Sequence, residues 1–143
     1  MWKLMRKLIV PVLAGLLVLA LAIQIVPYGR SHTNPPLMRE PAWRSPQTRQ
    51  IAVTACYDCH SNETVWPWYS LIAPVSWLVQ NDVDRGRETL NFSEWQSGNQ
   101  SEDDPAEVVR EGEMPPWFYT ITHPAARLSP SEREALAQEL GRN

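Results

Sequence analysis

One pentapeptide, Cys56-Tyr57-Asp58-Cys59-His60, constrains this 143-residue chain more than any other feature. It holds the chain's only two cysteines, three positions apart. A disulfide between them would close a very small loop and would add little stability. A secreted domain held together by disulfides would also need more cysteines than two. The pair is therefore better explained by chemistry than by cross-linking.

The pattern C-x-x-C-H is typical of the covalent attachment of a c-type haem. The two thiols would form thioethers with the two vinyl groups of the haem, whose separation they match when the segment is near-helical. His60 would then supply the proximal nitrogen to the iron. We predict one covalent haem c, bound through Cys56, Cys59 and His60, with His60 as a metal ligand.

Two other uses of the motif are less compatible with the sequence. A C-x-x-C dithiol oxidoreductase site usually lies in a βαβ context, and the sequence predicts no strand. A zinc site needs further ligands at short spacing, and the chain has no second C-x-x-C and no H-x-x-H.

The second axial ligand is predicted to be Met114, which follows the motif histidine by 54 residues. A thioether is a soft ligand that suits haem iron and raises its reduction potential. Pro115 and Pro116 stiffen this segment and remove two backbone donors, so the chain can pass closely over a ring. His123 and His32 are the alternatives, although His123 is also suited to a loop or capping role.

Several aromatic and basic side chains are candidates for contact with the haem. Trp66, Trp68 and Trp117 lie nearest in sequence to the ligand segments, and we predict that they line the cofactor. For the other tryptophans, ordinary core packing is the expected role. Arginines can pair with propionates, but helical periodicity predicts that Arg87 and its neighbours on the same helix face solvent.

An apolar run from Leu8 to Val26 follows three basic residues near the N-terminus. Nineteen residues are about the minimum for a helix that crosses a bilayer, and the preceding positive charges would stay in the cytoplasm. We predict that residues 1–26 form a single-pass anchor in a bacterial inner membrane. A cleaved signal peptide, ending near Ala20-Leu21-Ala22, is the alternative. Either way, the remaining chain lies on the periplasmic side.

The rest of the chain predicts a mainly α-helical fold. Residues 27–45 are rich in proline and form an expected tether, and residues 46–143 form an expected haem-binding domain. Glu113 to Trp117 should be extended, and Asn99 to Asp103 should be a polar loop. Capping patterns and apolar spacing predict four helices. The first begins at Ser45, and the second runs from Pro74 to about Leu90 with Leu78 and Val83 on its apolar face. The third runs from Asp104 to Gly112, and the fourth from Ser129 to Leu140.

The exported part is acidic. From residue 27 onward it holds ten arginines, no lysine and sixteen acidic residues, which gives a net charge of about −6. This charge would repel nucleic acid, so no nucleic-acid partner is expected. It would permit docking to a basic partner protein.

Three stretches of the sequence, CYDCHSNETVWPWYSLIAPVSWLV, NFSEW and EGEMPPW, resemble the small bacterial membrane-anchored haem-binding domain proteins with one C-x-x-C-H motif. The resemblance covers roughly Tyr28 to Leu140. EGEMPPW and the following helix are also similar to the distal-methionine half of class I (monohaem) cytochromes c. The resemblance implies haem c and a cytochrome c-like small helical domain.

The function that these features favour is electron transfer by a membrane-anchored monohaem cytochrome, without enzymatic activity, to a redox partner protein that the sequence does not identify. Two alternatives stay open. One is a redox or gas sensor or a small peroxidase with an open distal site. The other is a haem-bearing accessory subunit of a larger membrane complex.

Overall fold

The computed structural model describes residues 2–95 and 103–142, and it is mainly helical as predicted. Its α-helices are α1 (Trp2–Ala22), α2 (Pro46–Ala55), α3 (Tyr57–His60), α4 (Val75–Thr89), α5 (Pro105–Glu111), α6 (Trp117–Thr122) and α7 (Pro130–Leu140). In the same described ranges, 3₁₀ helices span Ile23–Ile25, Trp68–Leu71 and Pro124–Ala126. The described residues form no strand, only a single bridge. The loop predicted over Asn99–Asp103 lies outside the described residues, except for Asp103.

Local capping sets most helix ends. Ser45, Asp104 and Ser129 precede α2, α5 and α7, and each side chain accepts a hydrogen bond from a backbone N–H of the first turn. The side chain of Glu132 accepts a hydrogen bond from the backbone N–H of Ser129, which completes a capping box. Gly112 ends α5 with a φ of 81°, a conformation that glycine adopts without strain. The sequence predicted these four ends correctly.

The sequence predictions for Trp117 and Leu78 were wrong in detail. Trp117 was expected in an extended segment, but it begins α6, because the extended Pro116 serves as the N-cap of that helix and its carbonyl accepts the N–H of Tyr119 at 3.0 Å. Leu78 was expected to be buried with Val83, but Leu78 is 63% exposed. The two residues are five positions apart on α4, which turns them about 140° from one another.

The chain divides into two compact units. The first comprises Met1–His32 and Pro67–Asn81, and the second comprises Thr33–Trp66 and Asp82–Asn143. Helix α4 begins in the first unit and ends in the second. In the first unit, Met5–Ile25 is long and apolar enough to cross a membrane, judged by length and composition, which a signal sequence can share.

The second unit has a small aromatic and aliphatic core. Phe92 is almost fully buried, and its ring lies 5.3 Å from the ring of Tyr57 and 5.7 Å from that of Trp95, stacked in both pairs. Ala52 of α2 and Ala137 of α7 are completely buried in the same cluster, so their small side chains let these helices approach closely. This core supports α3, which carries most of the C-x-x-C-H motif.

Candidate cofactor site

His60 is the last residue of α3, and its ring is held through one nitrogen. Nδ1 lies 2.9 Å from the carbonyl oxygen of Gly86 and 3.1 Å from that of Leu90. Carbonyl oxygens only accept hydrogen bonds, so Nδ1 carries the proton and donates to both. Nε2 then keeps its lone pair, and no residue within 2–95 or 103–142 bonds to it. This is the arrangement in which a histidine ligates a metal through Nε2.

Burial also keeps His60 neutral. Loss of water around the ring lowers the pKa of His60, and the two backbone hydrogen bonds offset only part of that effect. A neutral imidazole is the form that binds a metal ion. The carbonyl of Leu90, which lies just beyond α4, accepts from Nδ1 and so helps to fix which ring nitrogen carries the proton.

Gly86 allows α4 to pass directly over the motif. A Cβ atom at this position would lie 2.8 Å from the carbonyl carbon of Cys59 and 3.0 Å from its Cβ, and closer still to its carbonyl oxygen. Real side chains do not tolerate such distances, so only glycine fits here. The residue therefore permits the close approach that brings the carbonyls of Gly86 and Leu90 to the imidazole.

The two cysteines lie on one turn of chain that ends at His60. Helix α2 stops at Ala55, so Cys56 forms a break and Cys59 belongs to α3. The carbonyl of Cys56 accepts the N–H groups of Cys59 and His60, at 3.2 and 2.9 Å. Both thiols are free and half-buried.

Burial raises the pKa of Cys56 and of Cys59 to about 12, and the neighbouring Asp82 and Asp58 add to the effect at Cys59. Both groups therefore stay protonated at neutral pH. Redox-active C-x-x-C pairs instead have lowered pKa values, because the thiolate is the nucleophile. The site disfavours thiol–disulfide exchange.

Arg87 fixes the loop that follows the motif. Its Nε donates to the carbonyl of Ser61 at 2.8 Å, and its Nη2 donates to Thr64 Oγ1 at 3.0 Å. It also reaches the carbonyl of Thr33 and the side-chain oxygen of Asn34, at 3.2 and 3.0 Å. The sequence placed Arg87 on a solvent-facing helix surface, which was wrong because periodicity does not reveal a loop folded over that face.

Asp58, inside the motif, links it to α6. One carboxylate oxygen accepts the N–H of Val65 at 3.0 Å, and the other accepts the hydroxyl of Tyr119 at 2.7 Å. Burial, together with this hydrogen bond to a carboxylate, raises the pKa of Tyr119. The Tyr119 ring stacks on His123 with centroids 4.1 Å apart. Sequence reasoning missed Tyr119, since no spacing rule relates residues 61 positions apart.

The predicted distal and lining residues are distributed over both units. The second unit contains Cys56, Cys59, His60, Trp66, Met114, Trp117 and His123, and the first contains Trp68 and His32. His123 is the C-cap of α6: its backbone N–H donates to the carbonyl of Tyr119 at 2.9 Å, and Nδ1 lies 3.2 Å from the same oxygen. His32 Nε2 lies 3.0 Å from Ser70 Oγ. Trp66 donates to Asn34 at 3.1 Å.

Helix α6 and the residues before it present an apolar surface. Met114 is 38% exposed, and Trp117, Phe118 and Ile121 are 75%, 51% and 59% exposed. Large apolar side chains grouped in this way mark a surface that a ligand or partner covers. Among residues 2–95 and 103–142, no group of three or more His, Cys, Asp or Glu side chains could hold a metal ion by itself.

A family model described as "Haem-binding domain" matches residues 18–140. The chain belongs to the haem-binding domain family. Haem is therefore its supported cofactor, as the sequence predicted. Comparison with curated proteins and with solved structures gives no match.

The residues of this haem-binding domain fit the cofactor. Haem iron takes an imidazole nitrogen as an axial ligand, and Nε2 of His60 offers an uncommitted lone pair. An apolar surface on α6 is available in the same unit to cover a flat ring.

Proposed function

We propose that this haem-binding protein is a monohaem c-type cytochrome, anchored in the cytoplasmic membrane, that transfers electrons on the outer face of that membrane. Cys56 and Cys59 would hold one haem c through thioethers, and His60 would ligate its iron through Nε2. The observation that carries this proposal is the ring of His60, whose other nitrogen is committed to two backbone carbonyls. A bound haem would supply one-electron redox chemistry.

The chain's own residues would tune and hold the proximal ligand. The carbonyls of Gly86 and Leu90 accept from Nδ1, which raises the basicity of the imidazole and fixes its orientation. Arg87 keeps the following loop in place through Ser61 and Thr64. A ligand held this firmly moves little between redox states, which suits electron transfer.

On the other side, Met114 would be the second axial ligand, through its soft sulfur. The apolar side chains of Trp117, Phe118 and Ile121 would exclude water from the haem surface, which favours a raised reduction potential. Trp66, beside the motif, would contribute to the haem edge.

The cellular setting follows from α1 and from charge. Met5–Ile25 would anchor the protein in the bacterial inner membrane, with the acidic remainder in the periplasm. The net charge of about −6 after residue 26 would favour a basic redox partner. A role as an accessory subunit of a larger complex is compatible with the same arrangement.

A second candidate function is supported by the contact between Tyr119 and the motif. Tyr119 bonds to Asp58 and stacks on His123, so a phenol and an imidazole lie close to the attachment segment. An open distal position with His123 as its polar group would suit a gas or redox sensor or a small peroxidase.

Visible spectra with and without carbon monoxide distinguish these functions. We expect the full chain, matured in a host with a c-type maturation system, to give a low-spin spectrum that carbon monoxide leaves unchanged. Met114→Ala should gain carbon monoxide binding and a lower midpoint potential, because the thioether is lost. Met38→Ala, at a 74% exposed methionine, is the matched control and should behave like wild type.

Two results would change the assignment. If carbon monoxide reshapes the spectrum of the wild-type protein, the open-site function replaces electron transfer. If Met114→Ala has no effect but His123→Ala admits carbon monoxide, the second ligand is His123 and not Met114.

A further inference from the structure

The end of the apolar helix is fastened to a segment 49 residues further along the chain. Gln24 donates from Nε2 to the carbonyl of Ala73 at 2.9 Å and accepts the N–H of Ala73 at 3.1 Å. Its Oε1 also accepts from Arg30 at 2.9 Å. Because the candidate span ends at Ile25, Gln24 lies where the chain would leave the bilayer. Ala73 therefore lies at the same level.

A second contact fixes the same segment close to the anchor. Gly29 has a φ of 78°, and a Cβ atom there would lie 2.6 Å from the carbonyl carbon of Ser76. Ser76 in turn donates to the carbonyl of Tyr28 at 3.4 Å. The chain thus packs against the first turn of α4 within four residues of Ile25. In this unit, the anchor and the Ala73 segment form one body.

The segment around Ala73 exposes apolar side chains and carries no charge. From Thr64 to Asn81 there are 18 residues without Asp, Glu, Lys or Arg, which is unusual for a chain that faces water. Within this run, Trp68, Leu71, Ile72 and Leu78 are 75%, 51%, 49% and 63% exposed. Tryptophan is enriched at membrane–water interfaces, where its ring is partly apolar and its N–H is polar.

We infer that Trp68–Leu78 is an interfacial platform, which dips its exposed apolar side chains into the outer leaflet beside the point where α1 leaves the bilayer. The inference rests on the membrane anchoring proposed above. The occupant of this surface is the acyl-chain and headgroup boundary of the lipid, because the Gln24–Ala73 contact holds the surface at that depth. The platform gives Trp68 a role other than the predicted lining of the haem.

The test uses the full-length, haem-loaded protein in vesicles of phosphatidylethanolamine and phosphatidylglycerol that contain a lipid with a photoactivatable diazirine on its acyl chain. Mass spectrometry locates the cross-linked residues. We expect cross-links in Met5–Ile25 and in Trp68–Leu78, and none in α7. The double variant Leu71→Glu/Leu78→Glu should reduce cross-linking of the platform roughly ten-fold, since carboxylates leave the apolar layer, and should keep the anchor cross-links.

The control is Ala125→Glu, which adds an acid at an exposed site in the second unit and should leave the cross-link map unchanged. Cross-links in the anchor without cross-links in Trp68–Leu78 overturn the platform while the proposed function stands. Unchanged platform cross-links in the double variant also overturn it. If Met5–Ile25 itself shows no lipid cross-links, the proposed membrane anchoring is wrong, and the platform is wrong with it. The haem assignment is tested separately by the visible spectrum. Should the double variant misfold, the wild-type map alone decides.

Discussion

Two regions of the second unit differ sharply in how they are built. The proximal region, which comprises residues 60–64 and 86–90, is polar and internally hydrogen-bonded: Ser61 and Thr64 are 0% and 5% exposed, and Arg87 bonds to both residues. The Met114 segment, residues 114–122, is largely apolar and exposed, with Trp117 and Phe118 at 75% and 51%. The polar groups of the first region bond to one another, whereas the apolar side chains of the second form a surface that another molecule must cover.

This contrast suggests an order of assembly. The protein alone can orient His60 through the carbonyls of Gly86 and Leu90. The Met114 segment is tied to the motif through the Tyr119–Asp58 hydrogen bond, so its apolar side chains would gain most of their contacts from the haem. Substitutions in the proximal region should therefore damage the fold itself, and substitutions in the Met114 segment should act mainly through the haem-bound form.

The largest effect is expected for Gly86→Ala in the proximal region. In a helix interior this change normally stabilises by about 0.5–1 kcal/mol. Here the new methyl group would collide with the backbone of Cys59, so we expect a net loss of about 3 kcal/mol or more and little haem incorporation. Thermal unfolding and haem content measure both. Gly15→Ala, where a Cβ meets nothing within 4 Å, is the control, and equal behaviour of the two variants would contradict close packing at Gly86.

A somewhat smaller effect is expected for Arg87→Lys. Lysine keeps the charge but cannot reach Ser61 and Thr64 together with the planar geometry of a guanidinium. Losing these hydrogen bonds should cost about 2–3 kcal/mol in a chemical denaturation experiment. Arg85→Lys, at an exposed position on the same helix, should change stability by less than about 0.5 kcal/mol. If Arg87→Lys leaves the free energy of unfolding unchanged, the loop does not depend on this side chain.

Tyr119→Phe tests the link between the two regions. Removing the hydroxyl leaves one oxygen of Asp58 without its partner, which should cost about 1–2 kcal/mol. Tyr69→Phe serves as the control, because no hydrogen bond engages that hydroxyl within the described part of the chain. In a double-mutant cycle, Asp58→Asn should show coupling with Tyr119→Phe. Additive effects would indicate that α6 is held to the motif by other contacts.

The smallest effect on the protein alone is expected for Trp117→Ser. Since this indole is 75% exposed, its loss should change the stability of the haem-free double variant Cys56→Ser/Cys59→Ser by less than about 0.5 kcal/mol. In the haem-bound protein it should cost about 1–2 kcal/mol, because apolar contact is then lost. Denaturation of both forms makes the comparison. Equal costs in the two forms would show that haem does not cover the Met114 segment.

What could be predicted from sequence follows the range of the interactions involved. Ser45, Asp104 and Ser129 cap helices through bonds to residues two or three positions away, so their roles are visible in the sequence. Arg87 and Tyr119 act on residues far away in the chain, and nothing in their own surroundings signals this. The cysteine spacing indicated haem as the cofactor. The tautomer of His60 could be assigned only from the structure, because it depends on the carbonyls of Gly86 and Leu90.

The exposed positions of α4 show the same limit. The helix itself was predicted within a residue at each end, since its apolar residues are regularly spaced. The exposure of Leu78 could not be deduced from that spacing, because it depends on what covers each face. Periodicity shows which residues share a face of the helix, but the surroundings of the helix determine which face is buried.

Intact mass spectrometry of the denatured protein, after maturation in a host with a c-type maturation system, tests the central claim most directly. We predict that the wild-type chain carries the added mass of one haem after denaturation. Cys56→Ser and Cys59→Ser should each weaken the attachment, and the double variant should lose it. A wild-type chain whose mass equals that of the polypeptide alone, or a double variant that keeps its haem through denaturation, would contradict covalent attachment at this motif.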